Sequence, residues 1–281
     1  MSTMPAHAVG FSFTSECIDS SGNVSNAVCL EQAPYKDIIL ESVRYGGQSR
    51  SDLTLVDRAV IVNNEVWTGG EETGAASADR GTEATLGLVE ENVTAEQIAN
   101  ADPSQQSVLT NRNLNSIVDT EDKGKFAIDL FFKQAVDNIL LWERGMNSAL
   151  RIQAIDGDGN LVGNDVKLGI LKPGNQQEQE DFTPWYDAGF DISTTEIAQT
   201  KFPTQRVGSL GINKSDFGLL EDERVTGIRL ISEGEKYNGP DWKVMGTIDP
   251  RYSDPEDVPE PFALLGLIVV GGAIASHHHQ E

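Results

Sequence analysis

The sequence predicts an all-β fold: an antiparallel β-sandwich or jelly roll with a polar insertion carrying a short helix, plus a detached C-terminal hydrophobic helix. Three observations carry this. Apolar, β-branched and aromatic residues alternate with polar ones in many short runs. The 27 glycines are scattered through turns rich in Asn and Asp. Helix signals are sparse, and many short strands in one stretch point to a sandwich.

Strands are expected at residues 37–45, 59–67, 125–132, 138–142, 150–155, 166–171, 225–231 and 242–248. The clearest is 125–132, which puts Phe126, Ile128 and Leu130 on one face. Asp156-Gly157-Asp158-Gly159-Asn160 lies between two strand-like runs and reads as a hairpin connection. Residues 69–112 form a polar insertion, expected to be a mobile excursion from one sheet edge. Within it Thr94 stands as an N-cap with Gln97 at N3, which predicts one short helix. The body is expected to span 9–248, with a linker at 249–258.

The linker is acidic and carries Pro250 and Pro255, each of which fixes φ and removes a donor. Pro259-Glu260-Pro261 follows. Residues 262–275 then carry no polar side chain, and include Phe262, Leu264, Leu265, Leu267, Ile268, Val269, Val270 and Ile274. As a helix this run is roughly 20 Å long, short of the ~30 Å hydrocarbon core, and it has no polar face to turn toward water. It reads as a membrane anchor detached from the body. The order of Pro-Glu-Pro, apolar run and short polar tip resembles the PEP-CTERM sorting signal of bacterial exosortase substrates. The tip here is His277-His278-His279-Gln280-Glu281, where that family usually has Lys or Arg. The resemblance implies transient anchoring in the inner membrane, processing by an exosortase-type enzyme near Pro259, Glu260 and Pro261, and release to the cell surface or extracellular matrix. More loosely, residues 142–148, 224–230 and 238–242 resemble the strands and turns of exosortase-dependent surface proteins of cyanobacteria.

The other end fits export. Ala6-His7-Ala8 has the small-x-small form of a cleavage site, so residues 1–8 read as the remnant of a signal peptide. Cys17 and Cys29 bracket a polar loop. A disulfide in an oxidising compartment suits that spacing; two free thiols in a cytosolic protein is the competing reading.

Composition narrows the function classes. With 44 acidic against 21 basic residues the net charge is −23, which opposes binding to nucleic acid. All four histidines lie in the terminal segments, at 7 and 277–279. The body therefore has no Ser-His or Cys-His nucleophile pair and no His-ligated metal site. A glycosidase-like carboxylate pair remains as the enzymatic option, but the expectation is a non-catalytic body. Asp156, Asp158 and Asn160 match the first ligand positions of a calcium loop. The match fails where Leu161 and Lys167 stand, and a tight Asx turn is the competing reading. Trp185-Tyr186, after Pro184, is the best hint of a ligand-contact surface, with extracellular polysaccharide as partner. The alternative function is thus a secreted carbohydrate-binding module or glycoside hydrolase.

Overall fold

A computed structural model describes residues 9–31, 37–64, 76–80, 83–87, 109–120, 125–174, 176–192 and 204–252. The N-terminal remnant, the helix expected at 94–101, and the whole sorting motif and apolar run lie outside the described residues.

The described residues are mostly β and the strand pairing is antiparallel, as expected. The sheet is organised by one long strand, β10, Lys125–Arg144. Sequence patterning predicted two strands here, and they are one. The first half of β10 lies between β6 (Val56–Asn64) and β15 (Val225–Glu233). The second half lies between β14 (Gln205–Asn213) and β16 (Asp241–Ile248). Beyond β15 the first half-sheet continues into β11 (Ala149–Ile155) and β12 (Leu161–Gly169). The second continues on one side into β13 (Tyr186–Ile192), and on the other into β5 (Leu53–Thr54) and β9 (Ser116–Thr120).

The two halves of β10 enclose a common core. Phe126, Ile128, Leu130 and Phe132 enter it from the first half; Ile139 and Leu141 enter it from the second. The inward positions change from even to odd numbers because the ladder slips twice, between Phe131 and Val136 and between Val136 and Asn138. Such bulges bend a strand and reset which side chains face inward.

The second half of β10 is buried on its other face too. Leu140 and Trp142 point into a second core, closed by a small sheet with order β2-β1-β3-β4. Its strands are β1 (Thr14–Ile18), β2 (Val24–Ser25), β3 (Leu40–Tyr45) and β4 (Gln48–Arg50). The ring of Phe13 meets Trp142 edge-on at 5.1 Å, and Trp142 Nε1 donates to the Ser15 hydroxyl at 2.9 Å. The sandwich thus carries a third layer. A strand covered on both faces reads as a continuous apolar run, which is why Ile139-Leu140-Leu141-Trp142 does not alternate.

Two local features secure the third layer. Gly46 and Gly47 both have positive φ and join β3 to β4 in a two-residue hairpin that other residues fit poorly. The helix α1 (Asn26–Glu31) occupies what was expected to be loop, started by the Ser25 hydroxyl accepting the Val28 N–H at 3.2 Å. Cys17 on β1 and Cys29 on α1 form a buried disulfide with Cα atoms 5.2 Å apart. The insertion at 69–112 contributes two described strands, β7 (Ala76–Arg80) and β8 (Glu83–Gly87), which extend the sheet beyond β9.

The described body continues past residue 248. Asp249, read from sequence as the first linker residue, is fully buried, and a 3-10 turn, Pro250–Tyr252, follows it. Asp249 Oδ2 meets Lys214 Nζ at 2.6 Å, and Arg251 Nε donates to Oδ1 at 2.9 Å. Burial works against the charge of Asp249, yet the hydrogen bonds from Arg251 and Lys214 hold its carboxyl below the usual range.

Removing the disulfide tests the third layer. The Cys17→Ala/Cys29→Ala protein is expected to lose about 3 kcal/mol of stability, by the loop-closure estimate for this 12-residue separation. Denaturant melts with and without reductant check this: reductant should lower the wild type to the level of the variant and leave the variant unchanged.

Candidate functional site

A cleft of about 350 Å³ lies at the β11–β12 end of the first half-sheet. Arg151 on β11 and Lys167 on β12 are cross-strand partners, so their side chains share one face. Glu233 ends β15, Glu178 lies in the short helix Gln176–Gln179, and Lys236 and Tyr237 belong to the 3-10 turn Glu235–Tyr237. Asp181 and Phe182 complete the wall.

Each cation there faces an acid. Lys167 Nζ lies 3.1 Å from Asp181, and Lys236 Nζ lies 3.0 Å from Glu178. Arg151 lies 3.3 Å from Glu233 and 3.5 Å from Asp165. Below them Phe182 and Tyr237 pack edge-to-face at 5.9 Å in a small apolar cluster with Ala149 and Leu171. Burial pushes the Tyr237 hydroxyl up to about 12, which keeps it a neutral donor and acceptor.

The aromatic pair expected to meet a ligand is split. Trp185 is buried in the main core and its Nε1 donates to the Ser148 carbonyl at 2.9 Å. Two glycines make its slot. A Cβ at Gly169, whose φ is +90°, would come within 2.6 Å of Trp185 Nε1, and one at Gly208 within 2.7 Å of Trp185 Cβ. Only Tyr186 reaches the surface, at 38% exposure. Trp242 is buried as well.

Asp156, Asp158 and Asn160 form the turn between β11 and β12. Asp156 Oδ1 accepts the backbone N–H of Asp158 at 2.9 Å and of Asn160 at 2.8 Å. This carboxylate oxygen is spent on the turn. Among the described residues no cluster of three or more His, Cys, Asp or Glu is arranged to hold a metal ion.

Glu143 and Arg144, adjacent on β10, point to opposite faces and serve different contacts. Arg144 forms a buried ion pair with Asp241 at 2.9 Å, and Asp241 also accepts the Thr120 N–H. Glu143 faces the main core at 1% exposure and accepts a short hydrogen bond from the Ser148 hydroxyl. Burial pushes its carboxyl up to about 8; the Ser148 hydroxyl, the Met146 amide and the Arg144 charge offset this only in part. This holds Glu143 neutral at pH 7, closed off from solvent.

Compared with known proteins, the chain matches no family model, no curated protein and no solved structure. The cleft was not foreseen from sequence, because its residues come from three strands and two short helical turns. The one legible signal was the alternation of 150–155 and 166–171, which places Arg151 and Lys167 on a shared face.

Glu143 makes stability depend on pH in a defined direction. In the unfolded chain this acid ionises near 4.5, while in the fold it holds its proton to about 8. Its environment therefore favours folding fully below pH 4.5, and that advantage is lost as pH rises toward 8. At pH 7 the cost is on the order of 3 kcal/mol. Glu143→Gln is expected to stabilise the protein at pH 7 to 8, with little effect at pH 4. Denaturant melts across that range check it; equal effects at both ends would show that Glu143 does not titrate this way.

Proposed function

We propose that this chain is an exported, exosortase-processed surface or extracellular-matrix protein whose β body is non-catalytic. The observation that carries the reading is the order of Pro259-Glu260-Pro261, fourteen residues at 262–275 without a polar side chain, and a short polar tip. The apolar run docks in the inner membrane, a processing enzyme acts near the Pro-Glu-Pro, and the body is released. The Cys17–Cys29 disulfide supports this, since such bonds persist in oxidising compartments. A net charge of −23 favours a dispersed, soluble body and disfavours anionic partners such as nucleic acid.

The non-catalytic reading rests on the placement of acids. General acid catalysis needs a carboxyl with a raised pKa that a substrate can reach. Glu143 has the raised pKa and is sealed in the core. The cleft carboxylates of Glu178, Asp181 and Glu233 each face a cation instead. A second reading, carbohydrate binding without hydrolysis, is favoured by the cleft itself.

The test is made in a bacterium that carries an exosortase, with an export signal placed before the chain. Wild-type protein is expected in the medium or cell-surface fraction, shortened at its C-terminus by intact mass. With Pro259, Glu260 and Pro261 all changed to Ala, full-length protein should stay in the membrane fraction. A wild-type chain that keeps residues 262–281 outside the cell, or stays in the cytosol with reduced cysteines, would overturn the reading.

A further inference from the structure

We propose that the cleft between Arg151, Lys167, Glu178, Glu233, Lys236 and Tyr237 binds a short stretch of neutral glycan. The proposal adds a ligand site to the body described above and rests on that reading only for where the glycan comes from.

Size comes first. At about 350 Å³ the cleft falls at the low end of the ~300–1,000 Å³ range of small-ligand sites, which suits one or two sugar rings. Charge selects the class. Over the whole chain acids outnumber bases 44 to 21, but the cleft brings together three cations, Arg151, Lys167 and Lys236, and three acids, Glu178, Asp181 and Glu233. An anionic ligand would have to separate the lysines from their acids against the net negative charge of the protein. A cationic ligand would have to displace the lysines. A hydroxyl both donates and accepts, so it can bridge a carboxylate and an ammonium without separating them. A neutral polyol is therefore the ligand that leaves the paired walls intact.

Within the cleft, the side chains of Arg151 and Tyr237 are the ones whose donors are not taken up by a hydrogen bond to a described residue. Arg151 is held by ion pairs at 3.3 and 3.5 Å, and its Nε has no hydrogen-bond partner among the described residues. Tyr237 is buried but lines the cleft, and its hydroxyl donates to no described residue. In a wall whose two lysines are already hydrogen-bonded to Asp181 and Glu178, these two groups are left to read a ligand. The buried Phe182 and Tyr237 rings give the cleft a firm apolar floor. A sugar ring has apolar C–H faces as well as hydroxyls, so it suits both the floor and the walls.

The experiment uses the full chain in mild detergent, titrated calorimetrically with cello-, malto-, laminari- and galacto-oligosaccharides, and with oligogalacturonate as the anionic arm. At least one neutral series should bind saturably and more tightly than oligogalacturonate. Tyr237→Phe, which removes a single oxygen, and Arg151→Met should each weaken that binding roughly tenfold or more. Thermal melts of both variants report folding, and Tyr237→Phe decides the matter if Arg151→Met is unstable. Absence of binding by every neutral series, tighter binding of oligogalacturonate, or unchanged affinity in Tyr237→Phe would overturn the proposal. Because the titrated chain is uncleaved, failure here leaves tail removal untouched, and failure of tail removal leaves this binding measurable.

Discussion

The strand from Lys125 to Arg144 belongs to two half-sheets at once, and the remaining layers take their places from it. Its first half needs one buried face and its second half needs two. The change happens at the bulges around Val136, where the ladder slips and the inward positions shift by one residue. Cutting any of Ile139, Leu140, Leu141 or Trp142 back to Ala would cost about 2–5 kcal/mol, because each is almost fully enclosed.

Around this spine the polar groups are arranged to close the layers. Arg50 on the small sheet reaches Asp137 on β10 at 3.1 Å and the Ile248 carbonyl at 3.1 Å. Asn138 donates to the Tyr45 hydroxyl at 3.0 Å and to Thr247 at 2.9 Å. These contacts tie the third layer to the middle sheet on one side, and the Cys17–Cys29 bond stiffens it on the other. At the end of the described chain, Lys214, Asp249 and Arg251 do the same for the last turn. Buried ion pairs are weak sources of net stability, but breaking one leaves a buried charge, so these contacts hold the last described turn in place.

Much of the fold was legible in the sequence. Period-two alternation located most of the long strands, and Asp156 to Asn160 was recognisable as a turn from its Asx and Gly content. β14 escaped notice because Val207-Gly208-Ser209-Leu210-Gly211 is broken by glycines, whose role is to admit Trp185 and Phe11 against the backbone. Trp185 itself looked like a surface aromatic because Pro184 suggested a loop. The slot that buries it is made by Gly169 and Gly208, which no local pattern links to it. Asp249 looked like linker because it precedes a proline, and only the distant Lys214 shows otherwise. The cleft was invisible for the same reason: paired charges on separate elements leave no spacing to read.

In the proposed reading, function is shared between the β body and a tail whose sequence has a different solvent preference. The body buries the Glu143 carboxyl and pairs the charges of its cleft, while residues 262–275 carry no polar side chain at all. The most direct test is the intact mass, under non-reducing conditions, of the protein recovered from outside the cells that naturally make it. The expected product is a chain that ends near Pro259-Glu260-Pro261 and is two hydrogens lighter than its reduced form, from the Cys17–Cys29 bond. A chain that still carries residues 262–281, or one with both thiols free, would contradict it.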